Sequence, residues 1–381
     1  MTPDSDAELR LFRETVRRFA RERVAPRYEE WERAQIMPRD IWNELGAAGF
    51  LCTDVPEEFG GTGADFRFSA VVQEEFSRAG FLALACSIAV HSDIVAHYLL
   101  NHGTEAQKRR YLPRMASGEC VGAIAMTEPG AGSDLQSIRS VAVVDGPGWR
   151  INGQKTFITN GQHADLVITA ARTDPAAPGS KGISLLLVDR DSPGFTRGRN
   201  LEKLGQHAAD TSELFYTDVC VGQDALLGQL HRGFVLLMTE LPRERLVLAL
   251  SGVAHARGAL DLAVAYVKER QAFGKPLAEM QNTRFRLAEM QAEVVIHERF
   301  IASCIQSLMR GELDTPTASI AKLGCTELQD RVADGCLQMF GGYGYMREYP
   351  ISRFYADSRV QRIYGGASEV MKELIARDLL R

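Results

Sequence analysis

The sequence predicts an α+β fold in three units. These are an N-terminal helical domain over residues 1–120, a middle antiparallel β-barrel domain over 121–232, and a C-terminal antiparallel four-helix bundle over 233–381. Three observations carry this. Up to about residue 120, apolar side chains recur at helical spacing. From Cys120 to about 225 the texture changes to short β-rich runs divided by Gly and Pro turns. Beyond Gly233 long helical patterns return, and four helices of that length make a bundle.

Each element follows from its own residues. Asp6–Val24 sets Leu9, Phe12, Val16, Phe19 and Ala20 on one face, with arginines on the other. Pro26 closes this helix or begins the next, and Pro38 opens another over Arg39–Ala48, ended by Gly49. The Gly60–Gly63 cluster has no strand before it and no Walker lysine after it, so it reads as a flexible loop rather than a nucleotide loop. Helices follow at Phe68–Arg78, Leu82–His102 and Glu105–Ala116. Strands are predicted at Val121–Ala125, Ile138–Val144, Trp149–Asn152, Leu166–Arg172, Gly182–Asp189 and Leu214–Val219. Asp145–Gly146 and Asn152–Gly153 read as turns. The bundle helices are predicted at Phe234–Glu269, Thr283–Met309, Thr315–Met339 and Ser368–Leu380.

Composition excludes several classes. A net charge of -5 gives no basic face for nucleic acid. The seven cysteines are dispersed without a C-x-x-C, which fits a reducing compartment. Phe81–Val90 is the longest strongly apolar stretch and is short for a membrane span. Met1–Arg23 carries too many acids for a mitochondrial transit peptide, so a soluble cytoplasmic protein is expected. No E-x-x-H, H-E-x-x-H or G-x-S-x-G occurs, which weighs against a di-iron bundle, a zincin and an α/β-hydrolase; no metal site is predicted.

Two stretches point to a ligand. Met126–Asp134 reads Met-Thr-Glu-Pro-Gly-Ala-Gly-Ser-Asp after an apolar run. Pro129 fixes one backbone angle, while Gly130 and Gly132 leave the backbone open to a phosphate or a heterocycle edge. Lys155–Gly161 reads Lys-Thr-Phe-Ile-Thr-Asn-Gly. Together they resemble the acyl-CoA dehydrogenase family, closest in look to its long-chain members, and further matches run from the N-terminal helices to Arg381.

The resemblance implies FAD as cofactor and acyl-CoA as substrate. Ile124, Ala125, Met126, Thr127, Gly132 and Ser133, with Phe157, Ile158 and Thr159, would lie along FAD from the same subunit. Phe157 stands where the family often has Trp over the isoalloxazine. Arg270 and Phe273 match an R-x-x-F-G motif, and Gln281 follows. Gln338, Met339, Phe340, Gly341 and Gly342 match Q-x-x-G-G. In the family these segments reach a neighbouring subunit's FAD, so a homotetramer is implied. A pyrophosphate suits a guanidinium fork, which favours a binding role for Arg270 over a solvated one.

Oxidising a thioester requires a base for the α-proton while hydride leaves the β-carbon. Many members carry that Glu in a C-terminal loop, which here reads Ile-Tyr-Gly-Gly-Ala-Ser-Glu over Ile363–Glu369, with Gly365 at the acid's position. Long-chain and isovaleryl-type members place the base on the first bundle helix. Glu240–Leu246 resembles that motif, with Glu244 in the base position. Alone, a Glu within Arg-Glu-Arg is ordinarily a solvated face; the missing loop acid favours the catalytic role. The Gly365 N–H is expected to donate to the thioester oxygen. Ala367, Ser368 and Glu369 would lie near the flavin, with Ala367 replacing a common Thr. Ser133, Ser180, Lys181, Arg245, Gly365 and Gly366 resemble acyl-CoA contacts. The product would be a trans-2-enoyl-CoA, with electrons passing to an electron-transferring flavoprotein. Rival readings are a flavin oxidase or monooxygenase on the same fold, and a non-catalytic acyl-CoA-binding scaffold.

Overall fold

A computed structural model describes residues 3–381; Met1 and Thr2, the start of the first predicted unit, lie outside the described residues. The N-terminal helices are α1 (Pro3–Phe19), α2 (Tyr28–Ala34), α3 (Asp40–Ala47), α4 (Phe66–Arg78), α5 (Leu82–Ile88), α6 (Ala96–His102) and α7 (Glu105–Ala116). A π-helical turn, Ala20–Val24, continues α1, and a second, Ala89–Val95, joins α5 to α6. Each predicted long helix is therefore present but locally widened. Thr104 and Gln107 form a reciprocal capping box at the start of α7. The Gly60–Gly63 loop is pinned by Gly63 N–H to the Val55 carbonyl and the Thr62 hydroxyl to the Thr53 carbonyl.

The middle strands are β1 (Gly122–Ala125), β2 (Val141–Asp145), β3 (Gly148–Thr159), β4 (Leu166–Arg172), β5 (Ile183–Asp189), β6 (Phe195–Asn200), β7 (Thr211–Gly222) and β8 (Leu226–Leu227). They pair in the order β6-β7-β3-β2-β4-β5-β8, with β1 also on β4. Most pairs are antiparallel, but β1 and β2 both run parallel to β4, a mixture the sequence reading did not anticipate. The Asp145–Gly146 turn joins β2 to β3. Asn152–Gly153 is not a turn: β3 runs straight on through it, with a register shift between Ile151 and Gly153. A Cβ on Gly153 would collide with Ser140, so the glycine answers to close packing instead. The edge strand β6 was not predicted, because Phe-Thr-Arg-Gly-Arg-Asn buries only Phe195 and shows no alternation.

The C-terminal unit comprises α8 (Gly233–Glu269), a short hairpin of β9 (Gln271–Ala272) and β10 (Lys275–Pro276), α9 (Gln281–Met309), α10 (Thr315–Phe340), α11 (Pro350–Ser358) and α12 (Ser368–Leu379). Helix α8 is the axis: it packs on α4, α9, α10 and α11. Leu246, Ala249, Leu250, Val253 and Ala256 of α8 share one apolar core with Ala321, Cys325, Leu328 and Val332 of α10. Two segments, Leu82–His102 and α8, are long and apolar enough to cross a membrane, more than the sequence reading allowed; 94% and 78% of their apolar windows are buried inside the protein.

Candidate active site

The Met126–Asp134 loop leaves β1 and closes on itself, with Glu128 and Ala131 exchanging backbone hydrogen bonds at 3.0 and 3.1 Å. A Cβ on Gly130 or Gly132 would meet nothing within 4 Å, so the loop's outer side is open. Gly132 and Ser133 are exposed, whereas Ile124, Met126 and Thr127 are half-buried. Ala125 points into the core and can offer a ligand only its backbone.

The second stretch is joined to the first by a buried ion pair. Lys155 Nζ donates to the Met126 carbonyl at 3.0 Å and to Glu128 Oε1 at 2.8 Å. Glu128 also accepts the N–H groups of Arg139 and Ser140. Burial pulls the Lys155 ammonium down to about 8, against the pull of Glu128. Burial works against the Glu128 charge, but Lys155 and the backbone donors outweigh it and hold this carboxyl below its ordinary value. The Thr156 N–H donates to the Thr127 carbonyl, so the two stretches move as one.

A second register shift in β3, between Lys155 and Ile158, holds Phe157 at φ +59. That conformation is strained for an aromatic residue, and the ring is 68% exposed. Ile158 faces the core and Thr159 is half-buried, so of these three only Phe157 presents a full side chain.

The other predicted cofactor residues gather elsewhere. Gln338–Gly342 and Arg270 line a groove of about 480 Å³ with Tyr266, Leu277, Tyr343 and Met346. The Arg270 guanidinium lies 5.6 Å from the Tyr343 ring centre. Tyr266 stacks on Phe340 at 4.0 Å and its hydroxyl donates to the Phe340 carbonyl, which makes the Phe340 ring a wall of the groove. Cβ positions on Gly341 and Gly342 are open. Phe273, at the β9–β10 hairpin tip, is 96% exposed, and Gln281 is exposed at the start of α9. No residue of the Met126–Asp134 loop lines this groove.

Glu244 lies on α8 and is 4% exposed, so the solvated-face reading of Arg-Glu-Arg fails for all three residues. Its Oε1 accepts from the Tyr98 hydroxyl at 3.0 Å. Burial raises its pKa to about 7; the Tyr98 bond and Arg245 pull down, and Glu240 pushes up. Pro242 cannot donate to the Met238 carbonyl, which loosens the helix beside these carboxyls. Glu240 is held by Asn101 and by His102 at 2.8 Å. Arg243 turns away, into ion pairs with Asp54 at 2.6 Å and Asp93 at 3.2 Å.

Gly365 and Gly366 both take left-handed backbone angles, φ +62 and +98. A Cβ on Gly365 would overlap Leu248 Cδ1. Leu248 is four residues beyond Glu244, so this loop meets α8 one turn from the carboxyl. Ala367 precedes α12, Ser368 is buried with an unpartnered hydroxyl, and Glu369 is exposed. The Ser180–Lys181 turn is held by Arg172, which donates to the carbonyls of Gly179, Gln136 and Ile138 and so sets the turn beside the segment after Ser133.

Sequence reasoning missed Tyr98, Arg172 and Lys322. Tyr98 reads as helix core and gives no signal. Lys322 had one: it interrupts the apolar stripe Ala318, Ala321, Cys325.

The chain is similar to known proteins along its whole length. The chain matches the descriptions "Acyl-CoA dehydrogenase, N-terminal domain" over residues 6–119, "middle domain" over 123–219 and "C-terminal domain" over 231–380. It is 46% identical over 371 residues to the mitochondrial long-chain specific acyl-CoA dehydrogenase of Sus scrofa, covering 97% of this chain and 86% of that one. An acyl-CoA dehydrogenase structure from Geobacillus kaustophilus superposes with a TM-score of 0.96 at 48% identity, over 98% of both chains. A glutaryl-CoA dehydrogenase from Mycobacterium smegmatis in complex with FADH2 superposes with a TM-score of 0.92 at 28% identity, over 100% of this chain and 95% of that one. The chain belongs to the acyl-CoA dehydrogenase family, FAD-dependent oxidoreductases that act on CH–CH groups.

Proposed function

We propose that Glu244 removes the α-proton of a bound acyl-CoA and that the Gly365 N–H receives its thioester oxygen. The carrying observation is the buried Glu244 carboxyl, with a pKa raised to about 7, one helical turn from where the two left-handed glycines meet α8. Such a carboxyl is charged enough to accept a proton near neutral pH and basic enough to take it.

The enzyme oxidises an acyl-CoA to the trans-2-enoyl-CoA; bound FAD supplies the hydride acceptor, and the electrons leave to an electron-transferring flavoprotein. The residues present fit that cofactor: an exposed aromatic held at a strained angle, open glycines, and a groove with a guanidinium. Phe157 covers one side of the ring site, and the paired Met126–Asp134 and Lys155–Gly161 stretches hold its shape. Ser133, Ser180 and Lys181 bind the CoA moiety, and Ala367, Ser368 and Glu369 border the cofactor.

Arg270, Phe273, Gln281 and Gln338–Gly342 serve the cofactor of a neighbouring copy, in a homotetramer. Their groove is separate from the Met126–Asp134 loop, which supports this reading. A long-chain substrate is supported by likeness to the Sus scrofa protein. A cytoplasmic location is supported by seven free cysteines. The test is anaerobic flavin bleaching across acyl-CoAs of increasing length. Fast bleaching by long chains with enoyl-CoA formation is expected; equal inertness to every length would overturn the reading.

A further inference from the structure

Behind the Gly365–Gly366 turn the protein is cationic. Lys322, on α10, has no exposed surface, and its Nζ donates to the Gly366 carbonyl at 2.6 Å. Arg245 is buried on α8; a Cβ on Gly366 would lie 4.0 Å from its Nη2. The Arg245 Nη1 makes one long bond, 3.4 Å to Ser319 Oγ, and its Nε has no partner. Among the described residues, no carboxylate lies within 4.0 Å of either cation. Burial, then Arg245 and Arg362, lower the Lys322 pKa to about 8, while Glu327 and Glu369 act the other way from farther off. Buried charges ordinarily come paired, because an uncompensated one is costly. Two side by side indicate that negative charge appears here during function.

We propose that Lys322 is a positioning residue for α-proton removal: it holds the turn by the Gly366 carbonyl and, with Arg245, sets a positive field on the thioester oxygen. This rests on the Glu244 reading. In that step the α-carbon's C–H bond breaks, the proton goes to the Glu244 carboxylate, and the electron pair spreads onto the thioester oxygen. Negative charge thus moves from α8 to the Gly365 N–H. Arg245 acts on Glu244 as well as on the turn, so it favours both ends of that movement. Lys322 bonds only the turn and is not among the groups that shift Glu244. Its charge therefore favours the state after transfer over the state before, the condition for lowering a barrier.

The test uses FAD-loaded enzyme and an acyl-CoA carrying sulfur in place of the β-carbon. Its α-proton is acidic, and it has no β-hydride to give. Its enolate beside oxidised flavin produces a long-wavelength charge-transfer band, titrated against pH. In Lys322→Gln, which can still donate a hydrogen bond but is neutral, the band's midpoint should rise by about one unit or more. That leaves roughly tenfold less enolate at neutral pH. Lys322→Arg keeps the charge and should hold the midpoint near that of the unaltered enzyme. An unmoved midpoint in Lys322→Gln overturns the inference. If Lys322→Gln does not fold, a full tenfold loss in Lys322→Arg overturns it, because charge is then not the cause. A Glu244→Gln enzyme that still forms the band at the unaltered rate overturns the base reading alone, whatever Lys322 does.

Discussion

At Glu244, Tyr98 donates to Oε1, and among the described residues no group bonds Oε2. One oxygen is thereby held and the other kept for substrate. The Tyr98 bond favours the charged carboxylate, so Tyr98→Phe should raise the base's pKa above about 7. Activity that depends on a deprotonated base rises with pH, so its midpoint should move to higher pH and the rate at pH 7 should fall by about tenfold. A pH–rate profile checks this. Stability has the opposite sign. A carboxyl with a raised folded pKa adds most to stability in acid, and that contribution is lost as pH rises from the unfolded value through about 7. Glu244→Gln should therefore melt a few degrees higher than the unaltered enzyme at pH 8, and no higher at pH 4; thermal melts at both pH values decide. Moving the acid, Glu244→Gly with Gly365→Glu, runs into Leu248 Cδ1 and the left-handed angle. Activity should return only partly, and more fully when Leu248→Ala is added.

At the scale of elements, the second register shift of the β3–β7 pair puts its extra residue on β3 and leaves Phe157 exposed, the surface proposed for the cofactor. Beside the first shift Gly153 packs on Ser140, so Gly153→Val should destabilise the protein by about 2 kcal/mol or more, read as a lower melting temperature. The same strand shows what was legible. Its start, the alternating Trp149–Asn152, was plain, and the Lys155–Gly161 stretch was found by resemblance. The continuity through Asn152–Gly153 was not, because an Asn-Gly pair signals a hairpin, and only the fold brings Asp218 to the Asn152 amide and Ser140 to Gly153. Helices α8, α9 and α10 were legible from long periodic patterns. The parallel β1–β4 ladder was not, since nothing local in the sequence joins two strands so far apart along the chain. Of the site, Glu244 and Gly365 could be named from their motifs. Tyr98, 146 positions earlier, could be joined to Glu244 only by the fold.

For the whole molecule, the proposed role of the groove at Arg270 and Gln338–Gly342 would link cofactor retention to assembly. Arg270→Ala removes a charged partner for a pyrophosphate, so FAD should dissociate more readily and melting should become more dependent on added FAD. Flavin content after gel filtration, read with light scattering, checks this. A monomer that keeps its flavin would rule out the shared site.

The most direct measurement is the rate of anaerobic flavin reduction by a saturating long-chain acyl-CoA in Glu244→Gln. The substitution keeps the shape and removes the base. Reduction should slow by roughly 10²–10⁴-fold while acyl-CoA still binds. Near-normal flavin reduction in this variant would contradict Glu244 as the base.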